Sequence, residues 1–462
     1  MTDPDAALGR TLRSRHVTMI TVGGIIGAGL FVGSSTAIST IGPAAIVSYA
    51  LAGLVILFMM RMLSELAAAH PGTGSFTEFA RLGLGDWAGF TCGWLYWYFW
   101  VIVVPIEAIA GANILHQWLP EFAVWELGLV LLSLMTAVNL MSARSFGEFE
   151  FWFSSIKVAA IIVFIFIAGA YALGITSPSG PTFGNLTSHG GFAPFGPLAV
   201  LAGVVSVIFA FVGAEIVIIA AAESSEPARA VARLTSSVAV RILLFFVLSI
   251  TLIVAVVPWN TVKPGISPFA VALGAVGIPG AATIMNGVVL TAVLSCLNSG
   301  IYVTSRMLFQ LAAKGDAPQW LVVVNKRRVP VRGILAGAAF GYAAIGAEML
   351  LPDAVFNFLV DASGAIALVN YLLVAVAELR LRRQWERSGQ ALLPIRMWLF
   401  PYLTWAVIAV MVAVLVAMAV TPALRSQFYS SGASVLLVLG AFLLRRRHGG
   451  ALSGAKQGRT SF

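Results

Sequence analysis

The apolar run from Val17 to Ala37, VTMITVGGIIGAGLFVGSSTA, is long enough to cross a bilayer. Its centre carries Gly23, Gly24, Gly27 and Gly29. Glycine costs about 1 kcal/mol against alanine inside a helix, so the cluster weakens this helix at mid-membrane depth. Backbone released from helical hydrogen bonding is tolerated there only where protein or a water-filled cavity surrounds it. Interrupted helices of this kind present N–H and C=O groups to a small solute near the membrane midplane. The run therefore commits the chain to a helical membrane bundle arranged around a break.

The rest of the chain agrees. Hydrophobic residues make up 59% of it and charged residues only 10%, which excludes an ordinary soluble protein, where about a quarter are charged. Apolar runs recur at 17–37, 42–63, 87–115, 123–141, 147–174, 197–222, 236–258, 279–309, 333–351, 354–377, 398–420 and 427–444. That pattern predicts an all-α membrane protein of about twelve spans. The first run is too long and too glycine-broken for a cleavable signal and is read as a retained span.

A net charge of +9 raises the question of nucleic acid, and the placement of the charges answers it. Arg10, Arg13 and Arg15 precede the first span, and Arg229, Arg233 and Arg241 lie between the sixth and seventh. Lys314, Lys326, Arg327, Arg328 and Arg332 follow the eighth. Arg380, Arg382, Arg383, Arg387 and Arg396 follow the tenth, and Arg445 to Arg447 close the last. Of 28 Lys and Arg, only Lys263 and Arg425 lie in outer loops, and Lys157 stands deep within a span. This is the positive-inside pattern of a chain with both termini in the cytoplasm. No basic block belongs to a soluble fold, so the partners expected are the lipid bilayer and a small solute, not nucleic acid.

Cys92 and Cys296 both fall in spans, which gives a disulfide framework no support. The five histidines are scattered without metal-ligand spacing. No nucleophile–base constellation appears, so an enzyme is not expected, nor a metal or organic cofactor.

A second break is predicted in the sixth span, at Phe211-Val212-Gly213-Ala214-Glu215. The first and sixth spans are five apart, and an odd-numbered unit repeated in tandem must sit upside-down in its second copy. Gly213 alone equally suits close helix packing. The division that follows is a cytoplasmic tail (1–16), one repeat (17–175), a second (197–378), two further spans (397–446) and a tail (447–462).

Lys157 lies about ten residues into the fifth span, hence about 15 Å deep. Insertion scales price such a lysine at about 2.5–3.5 kcal/mol, so it either snorkels to an interface or serves the interior. A lysine held away from water can give up its proton under physiological conditions. In the eighth span, Thr291, Ser295, Asn298, Ser299 and Tyr302 share one helical face, as a cavity lining or as hydroxyls packed against neighbouring helices. Glu215 beside the second break is a candidate for bonding loose backbone or for coupling protonation. Glu107 is expected nearer the outer end of the third span.

Several long motifs carry a resemblance. RHVTMITVGGIIGAGLFVGSS at 15–35 and SELAAAHPGTGSFTEFA at 64–80 resemble the amino acid transporter family of the amino acid–polyamine–organocation superfamily. GWLYWYFWVIVVPIEA (93–108), GEFEFWFSSIKV (147–158), FAFVGAEIVIIAAAES (209–224), LSCLNSGIYVTSRML (294–308) and DASGAIALVNYL (361–372) are similar to bacterial γ-aminobutyrate (GABA) permeases. The resemblance implies a LeuT-type fold of two inverted five-helix repeats plus two peripheral helices, in the bacterial inner membrane. It implies import of a small amino acid, with the amides of Gly27, Ala28 and Gly29 holding the carboxylate. Carbonyls near Ile25 and from Phe209 to Val212 would receive the ammonium. In some sodium-independent relatives a fifth-span lysine stands where others bind sodium, and Lys157 resembles it, which implies the proton as coupling ion.

No acidic pair for a cationic side chain is visible in the pocket elements, and no arginine lies in the first or sixth span to hold a second carboxylate. GABA is the substrate the resemblance implies, with another neutral amino acid, such as alanine, proline or an aromatic, as the alternative. Some GABA permeases carry serine where this chain has Gly29. An exchanger, or an amino-acid sensor on the same fold, would share these features. The sequence leaves the oligomeric state open.

Overall fold

The central glycines interrupt the first span. In the computed structural model, Ser14–Gly23 (α1) stops at the first glycine pair, Ala28–Phe31 (α2) makes a single turn, and Ser34–Ile41 (α3) resumes the helix. The structure describes residues 12, 14–23, 26–70, 73, 75–222, 242–351, 354–363, 365–389 and 395–457. Carbonyls near the break accept from hydroxyls of the GSS sequence that follows, Val32 O also taking the Ser35 amide at 3.0 Å. Ser34 Oγ donates to Leu30 O at 2.6 Å and Ser35 Oγ to Val32 O at 2.6 Å. A buried carbonyl without such a donor would carry a cost of about 1–3 kcal/mol.

The chain continues through Ala45–Ala69 (α4), Thr77–Leu84 (α5), Asp86–His116 (α6), Val124–Met141 (α7) and Ala143–Ala172 (α8). Gly196–Ile208 (α9) then ends in a tight turn, Phe209–Phe211, and Ile216–Ala222 (α10) follows. Gly213 between them has φ +113°, a conformation that favours glycine. Next come Ser249–Val256 (α11), Pro268–Ala275 (α12), Ala281–Ala313 (α13) and Val331–Glu348 (α14). Ala354–Ser363 (α15), Ile366–Arg387 (α16), Tyr402–Val420 (α17) and Arg425–Gln457 (α18) complete the order.

The described part of each of the twelve predicted spans carries helix. Nine stretches among the described residues are long and apolar enough to cross a membrane unaided. The interrupted sixth span and the seventh are represented by the shorter apolar helices Gly196–Val205 and Leu244–Val256. Two short helices between spans, α5 and α12, were not foreseen. The segment holding Arg229, Arg233 and Arg241 lies outside the described residues, as does Ile25.

The long α13 runs beside α6 and also packs on α8, α14 and α7, forming the central wall. Against it, α1 lies on α8 and α10, and α4 lies on α9. Two aromatic clusters fix the breaks. Phe269 of α12 sits 5.1 Å from Phe31 of α2 and 4.6 Å from Phe164 of α8, between ring centroids. Phe211 in the second break stacks on Phe246 at 4.3 Å and meets Tyr49 of α4 edge-on. Rings at these separations add about 0.5–1.5 kcal/mol beyond the area they bury. The peripheral α17 and α18 turn residues such as Val416, Val420, Leu436 and Leu437 outward, the surface a lipid-facing helix presents.

One close approach fastens α5 to α16. A Cβ added at Gly83 would fall 2.6 Å from Ala377 Cβ and 2.7 Å from its Cα. Gly83→Val should therefore cost about 1–3 kcal/mol or more. A lower melting temperature in detergent and less folded protein are expected, and an unchanged melting curve would contradict this packing.

Candidate functional site

The two breaks face each other. At Gly29 an added Cβ would lie 3.3 Å from Ala210 Cα and 3.4 Å from its Cβ, so only glycine fits there without movement. At Gly27 an added Cβ would meet nothing within 4 Å. Close approach of backbone thus requires glycine at Gly29 but not at Gly27, which borders open space.

That space is a cavity of about 860 Å³ walled by both breaks, α6, α13 and α15. Gly27, Gly29, Ala210 and Val212 contribute the broken backbone, and Tyr49, Phe99 and Trp100 the aromatic surface. Gln117, Gly265, Ile266, Asn286 and Gln427 continue the lining to one end of the bundle. Asn286 Nδ2 donates there to the exposed Gln117 Oε1 at 2.9 Å. Ala28 opens the one-turn α2, whose first N–H groups have no partner within the helix. Phe209 opens the turn at the second break.

The opposite end is held by ion pairs. Arg15 meets Glu148 at 2.5 Å, and Arg81 joins Glu78, Asp86 and Asp316. Arg445 also reaches Asp316, while Arg382 pairs with the fully buried Glu65 and with Glu386. These bridges use arginines from the segments that the sequence assigns to one side.

Lys157 lies behind the first break rather than in the cavity wall. Its side chain is 1% exposed, which excludes snorkelling to an interface. Nζ donates to Ile26 O at 2.9 Å and to Ser295 Oγ at 2.8 Å. A charged donor makes such bonds worth about 1.5–3 kcal/mol each. The carbonyl at the break and the hydroxyl of α13 thus take the place of water around the ammonium.

The eighth-span face needs correction. Ser295, Asn298 and Ser299 are buried but do not line the cavity. Ser295 bonds Lys157 and also donates to Glu150 Oε1 at 2.5 Å. Asn298 Oδ1 accepts from Asn139 Nδ2 of α7 at 2.9 Å. Tyr302 stacks on Phe146 of α8 at 4.0 Å, and Thr291 Oγ1 bonds back to Val288 O at 2.7 Å. The cavity takes the other face of α13, including Asn286, Val289, Val293 and Cys296. Helical spacing identified a shared face, but polar residues on a helix buried on nearly every side do not reveal which face meets water.

Glu215 holds the second break together. Its carboxylate accepts from Tyr96 Oη at 2.9 Å, Tyr371 Oη at 2.6 Å and Gly213 N at 3.1 Å. Two helices and the loose backbone converge on this one side chain. Glu107, nearer the His116 end of α6 than the Asp86 end, lines the cavity, with Oε2 lacking a hydrogen-bond partner among the described residues. Sequence reasoning missed Glu150, seven residues before Lys157 and therefore two turns away on the same face of α8.

The chain was compared with known proteins. The amino acid permease family profile matches residues 16–448. The gamma-aminobutyric acid permease of Bacillus subtilis is 48% identical over 448 residues, covering 97% of this chain and 96% of that protein. The gamma-aminobutyric acid permease of Escherichia coli is 45% identical over 438 residues, 94% of this chain and 92% of that protein. The aromatic amino acid transport protein AroP of Escherichia coli is 36% identical over 422 residues. With the match running from α1 into α18 and taking in both breaks, the chain belongs to the amino acid permease family.

Proposed function

We propose that this chain is a secondary transporter that imports a small neutral amino acid, GABA first among them, together with a proton. The observation that carries this reading is the meeting of two broken helices at a cavity, with Lys157 bonded to the backbone of the first break. The N–H groups from Gly27 to Gly29, at the start of a helical turn, suit a carboxylate, which the positive end of a helix attracts. Carbonyls at the second break, from Phe209 to Val212, suit the ammonium.

Lys157 occupies the position of a resident cation, and its loss or gain of a proton is the coupling event. Glu215 serves as the anchor of the second break. The cavity mouth faces the cell exterior, and the arginine-rich end with both termini faces the cytoplasm across the bacterial inner membrane. The two five-helix units, 17–175 and 197–378, move against each other around the breaks, with α17 and α18 outside them.

The choice of GABA rests on the two relatives whose printed names carry it. An aromatic or other α-amino acid is the second reading, favoured by the aromatic transport relative and by the aromatic lining at Phe99 and Trp100. Competition uptake into vesicles decides between them. Excess unlabelled GABA is expected to suppress uptake of labelled GABA far more than alanine, proline or phenylalanine does. The reverse ranking would leave amino acid transport intact and discard the substrate.

Two substitutions test the site. Gly29→Val pushes a branched side chain into Ala210 and should weaken substrate binding by about tenfold or more, on an overpacking cost of about 1–3 kcal/mol. Normal membrane insertion with unaltered binding would remove the break from the site. Lys157→Met keeps the volume and deletes the charge. Accumulation driven by an imposed pH gradient should fall at least about tenfold, and exchange of labelled for unlabelled substrate should fall less. Undiminished accumulation would overturn the role given to Lys157.

A further inference from the structure

Glu150 is wholly buried and lies outside the cavity lining. Three side chains form one chain of donors and acceptors. Lys157 Nζ donates to Ser295 Oγ at 2.8 Å, and Ser295 Oγ donates onward to Glu150 Oε1 at 2.5 Å. Ser154 Oγ, midway between them on α8, donates to the same carboxylate oxygen at 3.1 Å. Glu150 Oε2 is buried without a hydrogen-bond partner among the described residues.

We propose that Ser295 and Glu150 are the internal proton relay of this transporter, carrying the proton from Lys157 toward the closed end. The proposal rests on Lys157 as the coupling residue and extends it by naming where the proton goes next. The direction follows from the helix: Glu150 lies about 10 Å nearer the start of α8 than Lys157. At that start, Glu148 pairs with Arg15 and His16 packs on Gly147, so the relay leads away from the cavity mouth.

The step balances without any further reactant. Lys157 Nζ–H passes its proton to Ser295 Oγ while the Ser295 Oγ–H proton moves to Glu150 Oε1. Lys157 becomes a neutral amine, Ser295 is again a hydroxyl, and Glu150 becomes a neutral acid. Besides Glu150, the titratable groups that act on Lys157 are Cys296 on α13 and Glu107 on α6. A carboxylate that only balanced the lysine's charge would not need a hydroxyl placed between the two.

That difference provides the test, on full-length protein in vesicles. Ser295→Ala removes the connecting hydroxyl and leaves the charge of Glu150 in place, whereas Ser295→Thr keeps a hydroxyl. Both are measured for labelled-GABA accumulation under a pH gradient and for GABA exchange without one. Accumulation is expected to drop at least about tenfold relative to exchange in Ser295→Ala and to be retained in Ser295→Thr. Glu150→Gln should repeat the loss, and Glu150→Asp should restore part of it.

If Lys157→Met loses accumulation while Ser295→Ala and Glu150→Gln keep it, the relay is overturned and the lysine's role stands. If Lys157→Met also keeps it, the coupling reading itself fails. Should Glu150→Gln not reach the membrane, the Ser295 pair decides alone.

Discussion

The bond from Lys157 Nζ to Ile26 O, 2.9 Å long, is the contact on which the site depends. A helix broken inside a bilayer leaves carbonyls that water cannot reach, and a lysine at that depth needs acceptors that lipid cannot supply. Each solves the other's problem. The ammonium supplies a donor for loose backbone of the first span, and that backbone gives the charge a partner. The same contact ties α8 to the first break, so a change in the lysine's protonation is felt where substrate is expected to bind.

The second break is held by different chemistry. Glu215 accepts from two tyrosines and from the Gly213 amide, and Phe211 is clamped by Tyr49 and Phe246. One break is therefore fastened by a lysine and the other by a glutamate. The ion pairs of Arg15, Arg81, Arg382 and Arg445 secure one end of the bundle while the cavity leads to the other. A molecule with one end held and one end open is what access to a buried site from a single side requires.

Much of this was legible in the sequence, because backbone strain leaves glycine behind and buried charge is rare in apolar spans. The glycine cluster located the first break, Gly213 located the second, and Lys157 stood out by depth alone. The short helices α5 and α12 escaped notice because eight residues carry too little periodicity to separate them from a loop. The polar face of α13 was readable as cavity lining or as packing, and its hydroxyls and amides answer partners on α7 and α8, a choice that spacing along one helix cannot make. Glu150 was readable in principle, two turns from Lys157, but its link runs through Ser295 from a distant part of the chain.

The central claim is that substrate and proton cross together because Lys157 replaces a resident cation at the first break. Its most direct test is vesicles holding the purified protein and an internal pH dye, in sodium-free buffer with no imposed gradient. Addition of external GABA is expected to acidify the interior in the wild type and to leave it unchanged in Lys157→Met. GABA entry without acidification, or entry only when sodium is supplied, would contradict the account.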